Sequence, residues 1–225
     1  MKRTKFIQAL GLGFISAPFA ALPFRSKEQP DGACTATEAD TPGPFTTHNP
    51  DSLVRADIRG DRDGISLDIE LTILDRNNGC KPLEGAHVDI WHCDKDGLYS
   101  EYGNHRLQKE DLRQEHFLRG RQVTDKNGKV AFTSIFPGWY PGRSTHIHFE
   151  VQSPSGDTIL ISQLAFPEGP QSAVNQVNAS KGYKGMEGYR TNDKDGEFKD
   201  GVETQLVHIS GNLNSGFALT HSIIV

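Results

Sequence analysis

Positive charge is scarce in this sequence, and so are cysteine, long apolar runs and helical periodicity. The 225 residues carry 24 Lys+Arg against 29 Asp+Glu, a formal charge of −5 with histidine neutral. A chain without a basic excess lacks a general electrostatic footprint for nucleic acid, so no such partner is expected and a small polar or aromatic ligand fits better. Three cysteines allow one disulfide and a leftover thiol. The expected pair is Cys34 with Cys80, both beside turn-like segments, with Cys93 buried at the end of the apolar stretch 88–92. The longest apolar run, Phe6 to Leu22, is broken by Gly11, Gly13 and Pro18, and is short for a membrane span of about 20 residues. It follows Lys2-Arg3-Thr4-Lys5 and contains no acid, the pattern of an export signal over residues 1–25. Cleavage is expected between Ala20 and Ala33, leaving an exported chain with no membrane span. Without residues 1–25, which hold four bases and no acid, Lys+Arg falls to 20 against 29 Asp+Glu, or −9.

What the sequence does have is many short apolar segments separated by turn dipeptides. In Ser66 to Leu74, residues Leu67, Ile69, Leu71 and Ile73 alternate with polar ones, the period of a half-buried strand. Further strands are expected over Ala86 to His92, Val130 to Ile135, Thr145 to Val151, Thr158 to Phe166, Thr204 to Ile209 and Phe217 to Val225. Asp63-Gly64, Asn78-Gly79, Asp96-Gly97, Asn127-Gly128 and Asp195-Gly196 supply turns. Only Leu107 to Leu118 carries any helical period. Short strands without alternating helices predict an all-β fold, a β-sandwich of mainly antiparallel strands with long irregular loops. An extended segment over 26–50 and a single domain over 51–225 are expected, with 167–201 a surface excursion that shapes a site.

The feature that points to chemistry is Tyr140-Pro141-Gly142-Arg143-Ser144-Thr145-His146-Ile147-His148. On a strand, His146 and His148 share a face while Ile147 takes the other, and two such imidazoles can close on one ion at ~2.0–2.1 Å bonds. Two histidines alone suit zinc, copper, iron or no metal. No carboxylate lies in their loop, and Glu150 falls one step farther along the strand. The oxygen donors nearby are phenols: Tyr140, six residues before His146, and Tyr99, after the turn 94–97. Tyrosinate suits a hard ion such as Fe(III) better than zinc, although either tyrosine taken alone reads first as an amphipathic ring on a turn. His87 and His92 are read as structural, and His48, His105, His116, His208 and His221 show no partner pattern.

The ordered motifs Pro82 to Asp94, Gly97-Leu98-Tyr99-Ser100, Arg119 to Asp125 and Arg143 to His148, with Thr41 to Phe45 and Arg55 to Ile58 upstream, resemble the intradiol ring-cleavage dioxygenases. That family includes protocatechuate 3,4-dioxygenases and catechol 1,2-dioxygenases. The resemblance spans about residues 41 to 166 and implies an Fe(III) centre held by Tyr99, Tyr140, His146 and His148. It also implies catalytic roles for Arg143, Gln163 and Tyr140, the tyrosinate that leaves when substrate binds. The implied reaction cleaves a catechol between its hydroxyl-bearing carbons with O2, giving a cis,cis-muconate-type diacid. The near adjacency of Tyr140 and Arg143, the missing N-terminal helical dimerisation segment and the export signal look like a secreted branch of the family. The competing readings are a non-catalytic exported β-sandwich binding module and a zinc hydrolase using the same histidines; substrate and oligomeric state stay open.

Overall fold

The computed structural model describes residues 34–198 and 200–225; the expected export signal lies outside them. Nine strands form two sheets that face each other across one apolar core. In the first sheet β1 (Ser66–Asp75) lies centrally, antiparallel to β5 (Lys129–Ile135) and, at its end, to β2 (Lys81–Pro82). On its other edge β1 runs parallel to β9 (Gly216–Ile224), which pairs antiparallel with β8 (His208–Asn212). The second sheet runs in the order β4 (Arg119–Val123), β3 (His87–Trp91), β6 (His146–Gln152), β7 (Thr158–Ala165), antiparallel throughout. This is the expected all-β sandwich. Among the described residues no helix is long and apolar enough to cross a membrane.

Alternation places the core. Leu67, Ile69, Leu71 and Ile73 of β1 meet Val88 and Ile90 of β3 and Ile147, Phe149 and Val151 of β6 between the sheets, all essentially without solvent contact. Each such side chain contributes roughly 1.5–3 kcal/mol of burial. A disulfide joins Cys34 to Cys80, with Cα atoms 6.0 Å apart, and Cys93 is free and buried. It ties the chain entering the domain to the turn between β1 and β2.

Leu107 to Leu118, the one segment with a trace of helical period, forms turns and bends, with the Gln108 side chain bonded to the backbone of Tyr99. The structure departs from the expected elements in three places. The strand expected over Thr204 to Ile209 begins at His208. Residues Gln205 and Val207 instead exchange backbone bonds with Ala165, the last residue of β7, and Asn212 closes the β8–β9 hairpin by accepting the Asn214 and Ser215 amides. β4 was not foreseen: Arg-Gly-Arg-Gln has low strand propensity, yet its arginines are buried and paired. Finally, 167–201 is not merely a surface excursion. It carries the short helix α1 (Ala173–Asn178), with Val174 and Val177 in the core, and buries Asp195 and Phe198.

Candidate metal centre

The same alternation that sends Ile147 and Phe149 inward sends His146 and His148 to the outer face of the second sheet. Strand register then sets a row across that face: Arg119 opposite Trp91, Trp91 opposite His148, His148 opposite Gln163. The Trp91 and His148 rings stack with centroids 5.2 Å apart and planes 2° from parallel. Gly43 closes over the imidazole. A Cβ there would stand 2.9 Å from His148 Cε1, and its φ of +69° favours glycine.

Irregular segments lay the two phenols over this row. Tyr99 follows a tight turn in which Asp94 Oδ1 accepts the amides of Asp96 and Leu98. Gln108 then fixes its backbone from both sides, accepting the Tyr99 amide at 2.6 Å and donating to the Tyr99 carbonyl at 2.8 Å. Phe45 stacks on the Tyr99 ring at 4.6 Å. Tyr140 sits in the turn closed by the Arg143 amide donating to the Tyr140 carbonyl at 3.1 Å. The two tyrosine-bearing turns touch at Gly138, whose amide donates to Asp94 O; a Cβ at 138 would meet the Asp94 and Lys95 carbonyls at 2.7 and 2.6 Å.

Four donors therefore converge in a buried cluster. Tyr99 Oη is 3.5 Å from His146 Nε2, a separation two donors can span when each binds one ion at ~2.0–2.1 Å. The Tyr99 and Tyr140 rings are 5.7 Å apart, Tyr140 and His146 5.5 Å, and His146 and His148 4.8 Å. Arg143 Nη1 touches both Tyr140 Oη at 3.1 Å and His146 Nε2 at 3.3 Å, while Nη2 donates to Gln163 Oε1. All six side chains expected at the site thus meet in one cluster. Glu150 does not: it accepts from Gln152 and Thr158 down the strand.

The profile of the dioxygenase family matches residues 42–207, well over half of the chain. An intradiol ring-cleavage dioxygenase from Tetranychus urticae is 31% identical, with a TM-score of 0.74 over 85% of this chain and 94% of that one. The dioxygenase domain of a dioxygenase and carbohydrate-binding protein fusion from Streptomyces sp. SirexAA-E is 26% identical, with a TM-score of 0.61 over 85% of this chain and 98% of that domain. The chain belongs to the intradiol ring-cleavage dioxygenase family. Among curated relatives, the hydroxyquinol 1,2-dioxygenase of Corynebacterium glutamicum is 30% identical over 62% of this chain and 49% of its own length. The catechol 1,2-dioxygenase of Candida albicans is 29% identical over 56% and 45%. The chain spans about half the length of these curated relatives.

The donor set fits the metal this family implies, on the chain's own chemistry. Both ring nitrogens of His148 are buried without a hydrogen-bond partner, a costly state for polar atoms unless a ligand claims one of them. His146 Nδ1 donates to the Ser144 carbonyl at 2.7 Å, which leaves a lone pair on Nε2 facing Tyr99 and Arg143. Burial, followed by the Arg143 charge, holds both imidazoles well below their usual pKa, so they are neutral donors. Burial also pushes both phenols up, Tyr99 strongly. They ionise at neutral pH only beside a strong cation. Among the described residues no group of three or more His, Cys, Asp or Glu is placed to hold a metal ion, so a metal at this cluster would rely on the phenols.

Several supporting residues of this site carry no signal in the sequence. Asp195, on the excursion, accepts Arg143 Nε on both oxygens at 2.8 and 2.9 Å, and also the Ser144 amide and hydroxyl. Arg119 is wholly buried and donates to Ser100 and Phe45, flanking the Tyr99 ring. His48 and His116 are not without partners: the His48 amide and the His116 ring both meet the buried carboxylate of Glu101. The structural reading of His92 holds, since it bonds Ser134 Oγ and the Cys93 carbonyl within the core. No periodicity marks any of these; only a buried charge or amide in a polar loop would have been a signal.

Proposed function

We propose that this protein is a non-haem Fe(III) dioxygenase that cleaves a catechol between its two hydroxyl-bearing carbons. Both atoms of O2 enter the product, a cis,cis-muconate-type diacid. The observation that carries the reading is the convergence of two buried phenols and two buried neutral imidazoles, one of the imidazoles with both nitrogens unpartnered. Ferric iron, bound by Tyr99, Tyr140, His146 and His148, would keep the phenols ionised, chelate the two catechol oxygens and make the ring reactive toward O2.

The chain's own groups do the rest. Tyr140 Oη, to which Arg143 Nη1 already donates, would take one of the two catechol protons, and a solvent-derived hydroxide would take the other. Two anionic oxygens neutralised for two catechol protons released would keep the local charge constant, which matters where burial makes an unbalanced charge costly. Arg143, a permanent cation with directional donors, stabilises negative charge as it builds on the ring and its oxygens. Gln163 accepts from Arg143 Nη2 and donates to the Thr41 carbonyl at 3.4 Å, holding the fork aimed at the cluster. Phe45, Trp91 and Tyr102 exclude water around it.

Export is part of the proposal, supported by the basic-then-apolar N-terminus and by a disulfide of the kind that persists in oxidising compartments. The function is tested by oxygen uptake over a panel of catechol, protocatechuate, hydroxyquinol and larger plant catechols, with metal analysis of the same sample. One O2 consumed per ring with a ring-opened diacid, at a rate proportional to bound iron, is expected. A colourless zinc protein that consumes no O2 would favour a hydrolase, and a metal-free protein that binds catechols unchanged would favour a binding module.

A further inference from the structure

Arg143 is a buried cation beside the donor cluster, a position that would oppose loading of a trivalent metal unless its charge were balanced. The balance comes from a segment remote in sequence. Asp195, with no solvent exposure of its carboxylate, accepts Arg143 Nε on both oxygens, and Oδ2 also accepts the Ser144 amide at 2.8 Å and hydroxyl at 3.1 Å. Its own position is fixed in turn by the Glu197 amide, which donates to Oδ1 at 3.1 Å, and by its backbone amide donating to Thr191 and Asn192.

Two lines of orientation leave this one carboxylate. Through Arg143 it sets the fork that reaches Tyr140 Oη, His146 Nε2 and Gln163. Through Ser144 it sets the carbonyl that accepts His146 Nδ1–H, which fixes the tautomer and leaves Nε2 free as a donor. A group that orients a metal ligand's second nitrogen typically changes affinity or activity ~10–100-fold. We propose that Asp195 is a positioning residue for ring cleavage, holding Arg143 and, through Ser144, His146 in their working orientations while neutralising the guanidinium beside the metal position. This deepens the dioxygenase reading and rests on it.

The alternative is a buried ion pair that only stabilises the fold. Asp195→Asn separates the two, since it keeps the shape and an accepting oxygen but removes the charge. Ferric titration of the metal-free variant should show iron affinity lowered ~10–100-fold. The iron-loaded variant should show kcat lowered by a similar factor with KM little changed. In an Arg143→Gln background the same substitution should lower kcat by clearly less than it does alone, because the part carried by Arg143 is already lost, while the part carried through Ser144 and His146 remains.

Unchanged iron affinity and iron-normalised kcat, with only the melting temperature lowered, would overturn the proposal, and so would full additivity of the two substitutions. Should Asp195→Asn not fold, Asp195→Glu serves: retained affinity with a reduced kcat supports positioning, and wild-type values for both contradict it. Absence of iron binding and O2 uptake in the parent protein would instead remove the dioxygenase reading itself, an outcome distinct from either.

Discussion

The two faces of β6 differ in how they are built. Ile147, Phe149 and Val151 face a core shared with the opposite sheet and need only to be apolar and of fitting size. His146 and His148, one residue away each time, face a cluster assembled from four separate segments: the chain around Phe45, the turn of Tyr99, the turn of Tyr140 and the excursion bearing Asp195. One face is specified by periodicity, the other by individual hydrogen bonds. Damage to the inner face should therefore cost stability and spare chemistry. Damage to the outer face should do the reverse.

The largest expected effect comes from the donors themselves. Tyr99→Phe and His148→Ala should each abolish iron retention or its colour, with turnover reduced beyond the ~10²–10³ typical of a single transition-state donor, while circular dichroism keeps the sheet signature. Next is Gly43→Ala, which places a methyl against His148 Cε1 at a backbone conformation unfavourable to alanine. An iron affinity lowered ~10–100-fold with a nearly unchanged core is expected in metal titrations; unaltered affinity would mean the imidazole is not gripped there.

A pH prediction sets the buried histidines apart from the rest of the core. In the metal-free protein burial lowers the His92 pKa to about 4 and holds His146 and His148 well below the usual 6.5 of a histidine. As pH falls below about 6.5 the unfolded chain therefore takes up protons first. Stability that is fully present above that value is lost toward pH 4, at about 1.4 kcal/mol per pH unit for each such histidine. Urea midpoints measured from pH 7.5 to 4.5 should follow this slope; a flat profile would contradict neutral burial of these rings. The smallest effect belongs to the inner face. Ile147→Val should cost about 0.5–1.5 kcal/mol and leave iron-normalised turnover at the parent level, which a denaturant melt and an oxygen electrode check together.

The same contrast explains what could be read in advance. Leu67, Ile69, Leu71 and Ile73, and the alternation of His146 with Ile147, carry their positions in a local period, so the strands and the sandwich follow from short windows. Tyr99 and Tyr140 have no such period; their motifs resemble a family, and that resemblance singled them out. Asp195 was read only as part of an Asp-Gly turn, because its meeting with Arg143 depends on a path of 52 residues that no local window contains. β4 was missed for a related reason. Arg119 and Arg121 look like surface residues until Ser100, Phe45 and Asp89 are found beside them.

The most direct test of the four-donor cluster is the visible spectrum of the ferric-loaded protein beside its Tyr99→Phe and Tyr140→Phe variants. A red-brown tyrosinate-to-iron band in the parent, altered or lost in each variant, is the predicted result. An iron-loaded parent without that band, or a band untouched by both substitutions, would contradict it.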